Sequence, residues 1–299
     1  MRKPFLVVSS MAAAMLLACL AVVLTAGPGV GQTRTVTLVG AGDIAGCDFG
    51  ADHGTAKLLG RTKGTVITIG DNVYPDGTRA QFRRCYGRTW GKYKNRTKPA
   101  LGNHDYGTPG AKPYFDYFGK AAGKPSKGYY SYDRGSWHIV ALNSQCEQVG
   151  GCGAASRQGR WLRKDLAKHQ VKCTLAYFHH PLFAAGRGYD SPERVKRFWH
   201  ILNKRGADVV LNAHAHRYER YAPQTPGGKR SDRGIREFIV GTGGAPGGTQ
   251  YGPDDPHLQS KNLRTPGVLK LRLGSGTYHW KFIPVAGRKF TDSGRDQCH

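Results

Sequence analysis

Short apolar runs rich in β-branched residues recur along the first two thirds of the chain, and each one ends in glycine or a polar residue. Their length and pattern predict strands. The five predicted strands are 35–39, 65–69, a short piece before Leu101, 173–178 and 207–211. Three amphipathic segments between them, 78–86, 156–169 and 191–205, predict helices. Ser191 followed by Pro192 is typical of a helix start.

The last third of the chain has a different pattern. Apolar runs at 235–241, 267–273 and 277–283 are separated by glycine turns, with no clear helix between them. Strands that alternate with helices, as in the first two thirds of the chain, indicate an α/β layer. Because the later strands have no clear helix between them, we expect them to form a second sheet packed on the first. The prediction is an α/β fold with two mixed sheets flanked by helices.

The N-terminus carries a separate signal. Arg2 and Lys3 precede an apolar stretch that small residues end near Ala26. This order predicts a signal peptide at 1–26 and one domain at 27–299, in a secreted or cell-wall-associated protein. The alternatives are a retained membrane anchor, because the stretch is nearly long enough to span a bilayer, and lipidation at Cys19.

Six cysteines remain after the predicted signal peptide, and an even number in an exported chain indicates disulfides. Six cysteines allow 15 connectivities, which the sequence alone does not separate. Cys146 and Cys152 flank a glycine-rich loop that they could close. We predict the pairs Cys146–Cys152, Cys47–Cys85 and Cys173–Cys298.

The formal net charge is +25, which favours an anionic partner such as a phosphorylated small molecule or a polyanion. The basic residues are dispersed, and no nucleic-acid-binding motif is present. The charge is equally typical of the soluble surface of a basic exported protein.

Metal-ligand side chains follow five of the predicted strands, where open α/β sheets place their ligands. Oxygen and imidazole donors in this number suit one or two borderline cations such as iron, zinc or manganese, with Asp71 as the bridging carboxylate. The alternative for each motif alone is a hydrogen-bonded turn or a pair of solvated histidines. The side chains concerned are Asp43, Asp71, Tyr74, Asn103, His104, Asp105, His179, His180, His214 and His216.

The order of these motifs resembles that of the calcineurin-like metallophosphoesterases, and a Tyr three residues after the second Asp resembles the purple acid phosphatase branch. The motifs are Gly42-Asp43, Gly70-Asp71-Asn72-Val73-Tyr74, Gly102-Asn103-His104-Asp105, His179-His180-Pro181 and His214-Ala215-His216-Arg217-Tyr218-Glu219-Arg220. The stretch from Gly241 to Ala245 resembles exported bacterial members. The resemblance implies a four-layer α-β-β-α sandwich.

The resemblance also implies two metal ions, Fe(III) and a divalent ion (Fe, Zn or Mn). Asp43, Asp71, Tyr74 and His216 would hold one ion, while Asp71, Asn103, His179 and His214 would hold the other. A metal-bound hydroxide would attack the phosphate. His104 would assist the leaving group, and Asp105 would orient His104.

Three positions depart from the family pattern. Ala213 stands where glycine is usual, and His180 adjoins the expected ligand His179. A substrate-facing histidine is missing from its usual neighbourhood, which here reads Arg187-Gly188-Tyr189. We expect Arg187 or Tyr189 to contact the phosphate instead.

The function expected from these residues is hydrolysis of phosphate monoesters by an exported dinuclear-metal phosphatase. A phosphodiesterase or nuclease using the same site is the first alternative. A non-catalytic polyanion-binding protein is the second.

Overall fold

Two β-sheets packed face to face form the centre of the molecule, seen here in a computed structural model that describes residues 1, 4, 35–186, 192–248 and 253–299. One sheet has six strands in the order β13-β12-β11-β1-β2-β3, and the other has seven in the order β10-β8-β9-β7-β6-β5-β4. The strands are β1 Val36–Ala41, β2 Thr65–Ile69, β3 Thr97–Ala100, β4 Tyr130–Arg134, β5 Trp137–Ala141, β6 Cys173–Tyr177, β7 Val209–Asn212, β8 Tyr218–Tyr221, β9 Arg236–Val240, β10 Leu258–Asn262, β11 Gly267–Gly274, β12 Thr277–Pro284 and β13 Ser293–Gln297.

Both sheets are mixed. Strands β1, β2 and β3 are parallel, whereas β11 runs antiparallel to β1 with Val36 opposite Leu273. In the other sheet β5, β6, β7 and β9 are parallel, and β4, β8 and β10 run antiparallel to their neighbours. The predicted fold class is confirmed.

The expected grouping of the C-terminal strands was wrong. They do not form a sheet of their own, because β9 pairs with β7 in one sheet while β11 and β12 extend the other. The free edge of β1 accepts β11, and the free edge of β7 accepts β9. The six-stranded sheet therefore combines the first three and the last three strands of the chain, while the seven-stranded sheet is built from the strands between them.

Side-chain alternation along the central strands divides the core into two layers. Ile139, Leu175 and Leu211 face the other sheet, while Val140, Ala176 and Val210 face outward onto helices. Helices α4 and α5 cover that outer face, with Leu162, Phe198 and Trp199 among the residues buried there. The helices are α1 Ala51–Arg61, α2 Arg79–Arg84, α3 Lys112–Phe118, α4 Arg157–Lys168 and α5 Pro192–Lys204.

The described residues from 35 to 299 belong to one compact unit. The three predicted disulfides are confirmed: Cys47–Cys85, Cys146–Cys152 and Cys173–Cys298. Nearly all of the predicted signal peptide lies outside the described residues, so it stays a prediction. Within the described ranges, no helix combines the length and apolar character needed to cross a membrane.

Candidate metal centre

The predicted ligands come from the carboxyl ends of strands in both sheets. Asp43 and Asp71 follow β1 and β2, and Asn103 follows β3, all in the six-stranded sheet. His179 follows β6, while His214 and His216 follow β7 in the seven-stranded sheet. Because the two sheets pack face to face, these loops meet at one edge of the sandwich.

The first donor group surrounds the Tyr74 hydroxyl. Its oxygen lies 2.9 Å from Asp43 Oδ1, 3.1 Å from Asp71 Oδ2 and 3.0 Å from His216 Nε2. One phenolic proton cannot satisfy three acceptors at once. A cation bound by all four side chains would satisfy them together.

The second donor group surrounds His179 Nε2. This nitrogen lies 3.0 Å from Asn103 Oδ1, 3.2 Å from His214 Nδ1 and 3.2 Å from Asp71 Oδ2. Asp71, His179 and His214 are also close enough together to share one ion. Both groups meet at Asp71 Oδ2, so a carboxylate shared between two ions would be that of Asp71.

The spacing of the donor atoms fits metal ligation. Ligands about 2.1 Å from an ion and at right angles to each other are about 3 Å apart. The donor atoms of both groups have this separation. Two carboxylates, a phenol, an amide oxygen and three imidazoles also suit a hard trivalent ion beside a borderline divalent one.

Backbone carbonyls and amides orient the ligands. His179 Nδ1 lies 3.0 Å from the Ile69 carbonyl, and His216 Nδ1 lies 3.1 Å from the Pro246 carbonyl. In each ring this contact directs Nε2 into the centre. Asp43 Oδ2 accepts a hydrogen bond from the His214 amide. Asp71 Oδ1 accepts one from the His104 amide.

Two glycines make room for the carboxylates. A Cβ at Gly102 would overlap the Asp71 side chain, and a Cβ at Gly241 would overlap Asp43 Oδ2. Gly241 begins the glycine-rich stretch singled out in the sequence. Its place against Asp43 explains why that stretch needs glycine at its first position.

Burial and charge set the protonation of the ligands. Burial lowers the pKa of His214, and the neighbouring His179 lowers it further, to about 3. A neutral imidazole has the lone pair that a metal ligand needs. Burial raises the pKa of Tyr74 well above 10, and the carboxylates of Asp43 and Asp71 raise it further. A phenolate at this position therefore requires a strong cation beside it.

Burial opposes charge on Asp71 and His179, but their mutual attraction outweighs it. The pKa of Asp71 is lowered by His179, and the pKa of His179 is raised to about 9 chiefly by Asp71. Burial also raises the pKa of Asp43. The centre thus gathers buried carboxylates that a bound cation would stabilise.

His104 lies at the rim, with a side chain 36% exposed. Its Nδ1 is 2.6 Å from the Pro75 carbonyl, and its Nε2 is 3.9 Å from Asp71 Oδ2. The ring packs on Tyr74 with centroids 4.2 Å apart. Nε2 is therefore directed towards the centre.

Asp105 was expected to orient His104, but its carboxylate is hydrogen-bonded to other groups. It accepts hydrogen bonds from the Gly102 amide, the Asn72 amide and the Asn72 side chain. Burial and Asp71 raise its pKa to about 7 despite these bonds. Asp105 thus braces the loops that hold Asp71 and Asn103, and the Pro75 carbonyl orients His104.

The structure brings together nine of the predicted site residues, with His104 at the rim and Asp105 beneath the loops. Arg187 and Tyr189 lie outside the described residues, and their contact with phosphate stays a prediction. His180 packs its ring against His214, with centroids 4.5 Å apart, and its Nδ1 lies 2.9 Å from Ser144 Oγ. Ser144 was not identified from the sequence, where nothing distinguishes it from other loop serines.

The sequence reasoning also missed the support beneath the loop after His179. Glu219 Oε2 accepts from the Ala185 amide, and Glu237 Oε1 accepts from the Leu182 amide. Arg217 bonds both Glu219 and the Ala185 carbonyl. All three charged side chains are fully buried. The Arg217-Tyr218-Glu219 part of the histidine motif thus anchors the segment that leads towards Arg187.

The calcineurin-like phosphoesterase family model matches residues 37–218. Purple acid phosphatase 15 of Arabidopsis thaliana is 27% identical over 215 residues, which are 60% of this chain and 40% of that protein. Purple acid phosphatase 18 of the same plant is 27% identical over 128 residues, which are 41% of this chain and 28% of that protein. The chain thus spans less than half the length of these curated relatives.

A solved structure shares the fold. The purple acid phosphatase PPD1 from yellow lupin (Lupinus luteus) seeds superimposes with a TM-score of 0.71 at 17% identity, covering 89% of this chain and 54% of that one. GAP50, described as the anchor in the inner membrane complex of Plasmodium, superimposes with a TM-score of 0.67 at 12% identity, covering 86% of this chain and 88% of that one. Likeness at this identity establishes the fold alone. Since the family model spans more than half of the sequence, this chain belongs to the calcineurin-like phosphoesterase family.

Proposed function

We propose that the chain is an exported phosphatase that hydrolyses phosphate monoesters at a centre of two metal ions, Fe(III) and a divalent ion. Asp43, Asp71, Tyr74 and His216 hold one ion; Asp71, Asn103, His179 and His214 hold the other. The observation that carries the proposal is the position of Asp71 Oδ2, within 3.2 Å of both Tyr74 Oη and His179 Nε2. One carboxylate oxygen thus joins two complete donor groups.

When bound, two such ions supply Lewis acidity, lowering the pKa of water and neutralising charge on the phosphoryl oxygens. The chain's own residues supply orientation and a proton. The Pro75 carbonyl accepts from His104 Nδ1, so Nε2 faces the centre, and the ring protonated on both nitrogens can donate from Nε2 to the leaving oxygen. We further propose that Arg187 or Tyr189 contacts the phosphate.

Export is part of the proposal. Three disulfides support an oxidising compartment, such as the cell exterior or the cell wall. The predicted signal peptide at 1–26 would direct the chain there.

The test is turnover of an aryl phosphate monoester against the matching diester, with metal analysis of the same purified sample. We expect the monoester to be preferred, about two metal ions per chain with iron among them, and activity that a chelator removes and added metal restores. Faster diester turnover would favour the phosphodiesterase alternative. Metal-free protein that hydrolyses neither ester would overturn the proposal and leave the non-catalytic polyanion-binding alternative.

A further inference from the structure

A band of cations covers the outer surface of strands β11, β12 and β13. Side chains alternate along a strand, so one set from each strand faces away from the other sheet. We call this set the cationic face: Lys270, Arg272, His279, Lys281 and Arg295. None of the five residues belongs to the candidate metal centre.

The strand register places these basic side chains beside one another. Lys270 lies directly opposite Lys281, and His279 lies between Arg272 and Arg295. Directly opposed side chains have Cβ atoms about 5 Å apart, and like charges at this separation destabilise a sheet. Because the sheet fixes these positions, the cations cannot separate as side chains on a mobile loop can.

Nearby carboxylates do not neutralise the face. The outward positions of the three strands hold no aspartate or glutamate. The two acidic residues of the last hairpin turn the other way: Asp296 pairs with Arg236 at 2.8 Å, and Asp292 pairs with Arg220 at 2.7 Å. Cations and anions are thus separated onto opposite sides of one hairpin.

The face is concave, which suits a chain lying across it. Together with Trp280, Ser293 and Gly294 it lines a depression of 440 Å³. The Trp280 ring is only 7% exposed and lies against the guanidinium groups of Arg220 and Arg236. It is therefore not free to stack on a nucleic-acid base, the contact that single-strand binders use.

We propose that the cationic face binds a linear phosphate polymer without bases. Charge complementarity supplies the attraction, since such a chain carries closely spaced negative charges that can cross three strands of cations. The absence of an exposed aromatic ring at the described positions of the face favours this polymer over single-stranded nucleic acid. The proposal concerns binding and is independent of hydrolysis at the metal centre.

The test compares two triple variants that each remove three exposed cations. One is Arg272→Gln, Lys281→Gln and Arg295→Gln on the cationic face. The matched control is Arg197→Gln, Lys204→Gln and Arg205→Gln, which line a second basic depression beside α5. Both triples remove two arginines and one lysine, so they change the net charge equally.

Affinity for fluorescently labelled inorganic polyphosphate is measured over a series of salt concentrations, while free phosphate is followed to verify that the probe stays intact. We expect the face variant to bind at least tenfold more weakly at 0.1 M salt. Its slope of log affinity against log salt should fall by about two, as for the loss of three phosphate contacts. The control should lose no more than about threefold.

Equal losses of affinity in the two triple variants would attribute the effect to net charge and overturn the proposal. Unchanged binding by the face variant would also overturn it. A single-stranded oligonucleotide that binds the face more tightly than polyphosphate would overturn the choice of polymer. The charge-conserving variant Arg272→Lys with Arg295→Lys should retain binding. Its failure to do so while folded would contradict a role for charge.

Discussion

At the scale of single residues, the candidate centre is marked by its backbone as well as its side chains. Among the described residues, five other than glycine have positive φ, and four of them are Asp43, Asp71, His214 and His216. Each such conformation costs on the order of 1–3 kcal/mol and tends to occur at functional sites. The fold therefore holds these four predicted ligands in backbone conformations that residues other than glycine do not favour.

His104 carries the first prediction. His104→Ala should lower kcat for an aryl monoester about 10²- to 10⁴-fold, because the leaving oxygen loses its proton donor. The loss should be greatest for substrates with basic leaving groups, and metal content should not change. His53→Ala is the control, since His53 is 66% exposed and lies outside the donor groups. A loss of the same size for all leaving groups would contradict proton donation.

Tyr74 carries the second prediction. Tyr74→Phe removes the oxygen that lies within about 3 Å of Asp43, Asp71 and His216. We expect the visible charge-transfer band of an Fe(III)–tyrosinate to disappear, and the iron content to fall. Tyr106→Phe is the control, because its hydroxyl bonds Asn143 outside the centre. A visible band that survives in Tyr74→Phe would remove Tyr74 from the ligand set.

The sequence identified the side chains of the centre but not their support. Aspartate, histidine and tyrosine at strand ends have recognisable chemistry, so their convergence could be predicted. The Pro75 carbonyl that orients His104 could not, since every residue has a carbonyl and only the folded loop selects one. The family resemblance assigned Asp105 to His104, whereas the turn directs the Asp105 carboxylate back to Gly102 and Asn72.

At the scale of elements, several strands and helices with their own apolar pattern were predicted, although the fully buried strand β5 and helix α1 were missed. The segments predicted at 65–69 and 156–169 became β2 and α4. Strand β13, Ser293–Gln297, was missed because it has no apolar residue. It is held by pairing with β12, a long-range contact that local pattern does not contain. Its neighbour β12 was predicted, since it buries Tyr278, Trp280 and Phe282.

One polar cluster ties three elements together away from the centre. His138 of β5 lies 2.7 Å from Asp133 of β4 and 2.8 Å from Asp165 of α4. Its ring stacks on His169 with centroids 4.2 Å apart. Because both imidazole nitrogens face carboxylates, the charged form of His138 binds α4 to the sheet.

This cluster predicts a pH dependence of stability. Burial opposes the charge on His138, but Asp165 and Asp133 raise its pKa above 6.5. The contribution of His138 to folding stability is therefore complete below pH 6.5 and is lost as pH rises through the raised pKa. Although burial opposes it, the pKa of Asp165 is lowered below 3.8 chiefly by its hydrogen bonds to His138 and Ser131. The contribution of Asp165 to folding stability is therefore lost only as pH falls below 3.8. The pairing is strongest between these limits.

The measurement is the free energy of unfolding of wild type and His138→Gln at pH 5 and pH 9. We expect the variant to be about 2 kcal/mol less stable at pH 5, the scale of a hydrogen bond to a charged group, and the difference to shrink at pH 9. His200→Gln, on the exposed side of α5, should show no difference at either pH. If the loss of unfolding free energy in His138→Gln is equal at both pH values, packing rather than charge accounts for the effect of this substitution.

At the scale of the whole molecule, the centre depends on the packing of the two sheets against each other, because each sheet supplies part of the donor groups. Asp43, Asp71 and Asn103 come from one sheet, while His179, His214 and His216 come from the other. The disulfide Cys173–Cys298 joins the start of β6 in one sheet to the residue after β13 in the other. It therefore holds covalently the same two layers that the donor groups bridge.

The three disulfides should differ in what they contribute to stability. Cys173–Cys298 closes a loop with a sequence separation of 125, whereas Cys146–Cys152 closes one of 6. The chain-entropy relation assigns about 5 kcal/mol to the long loop and about 2 kcal/mol to the short one.

We expect Cys173→Ser with Cys298→Ser to lower the free energy of unfolding in urea by the larger amount, with Cys146→Ser and Cys152→Ser as the matched control. Equal losses would mean that local contacts at each bridge, rather than restriction of the unfolded chain, determine its contribution. If the long bridge proves dominant, its removal should also weaken metal binding as the temperature rises, because the two halves of each donor group then depend on non-covalent packing alone.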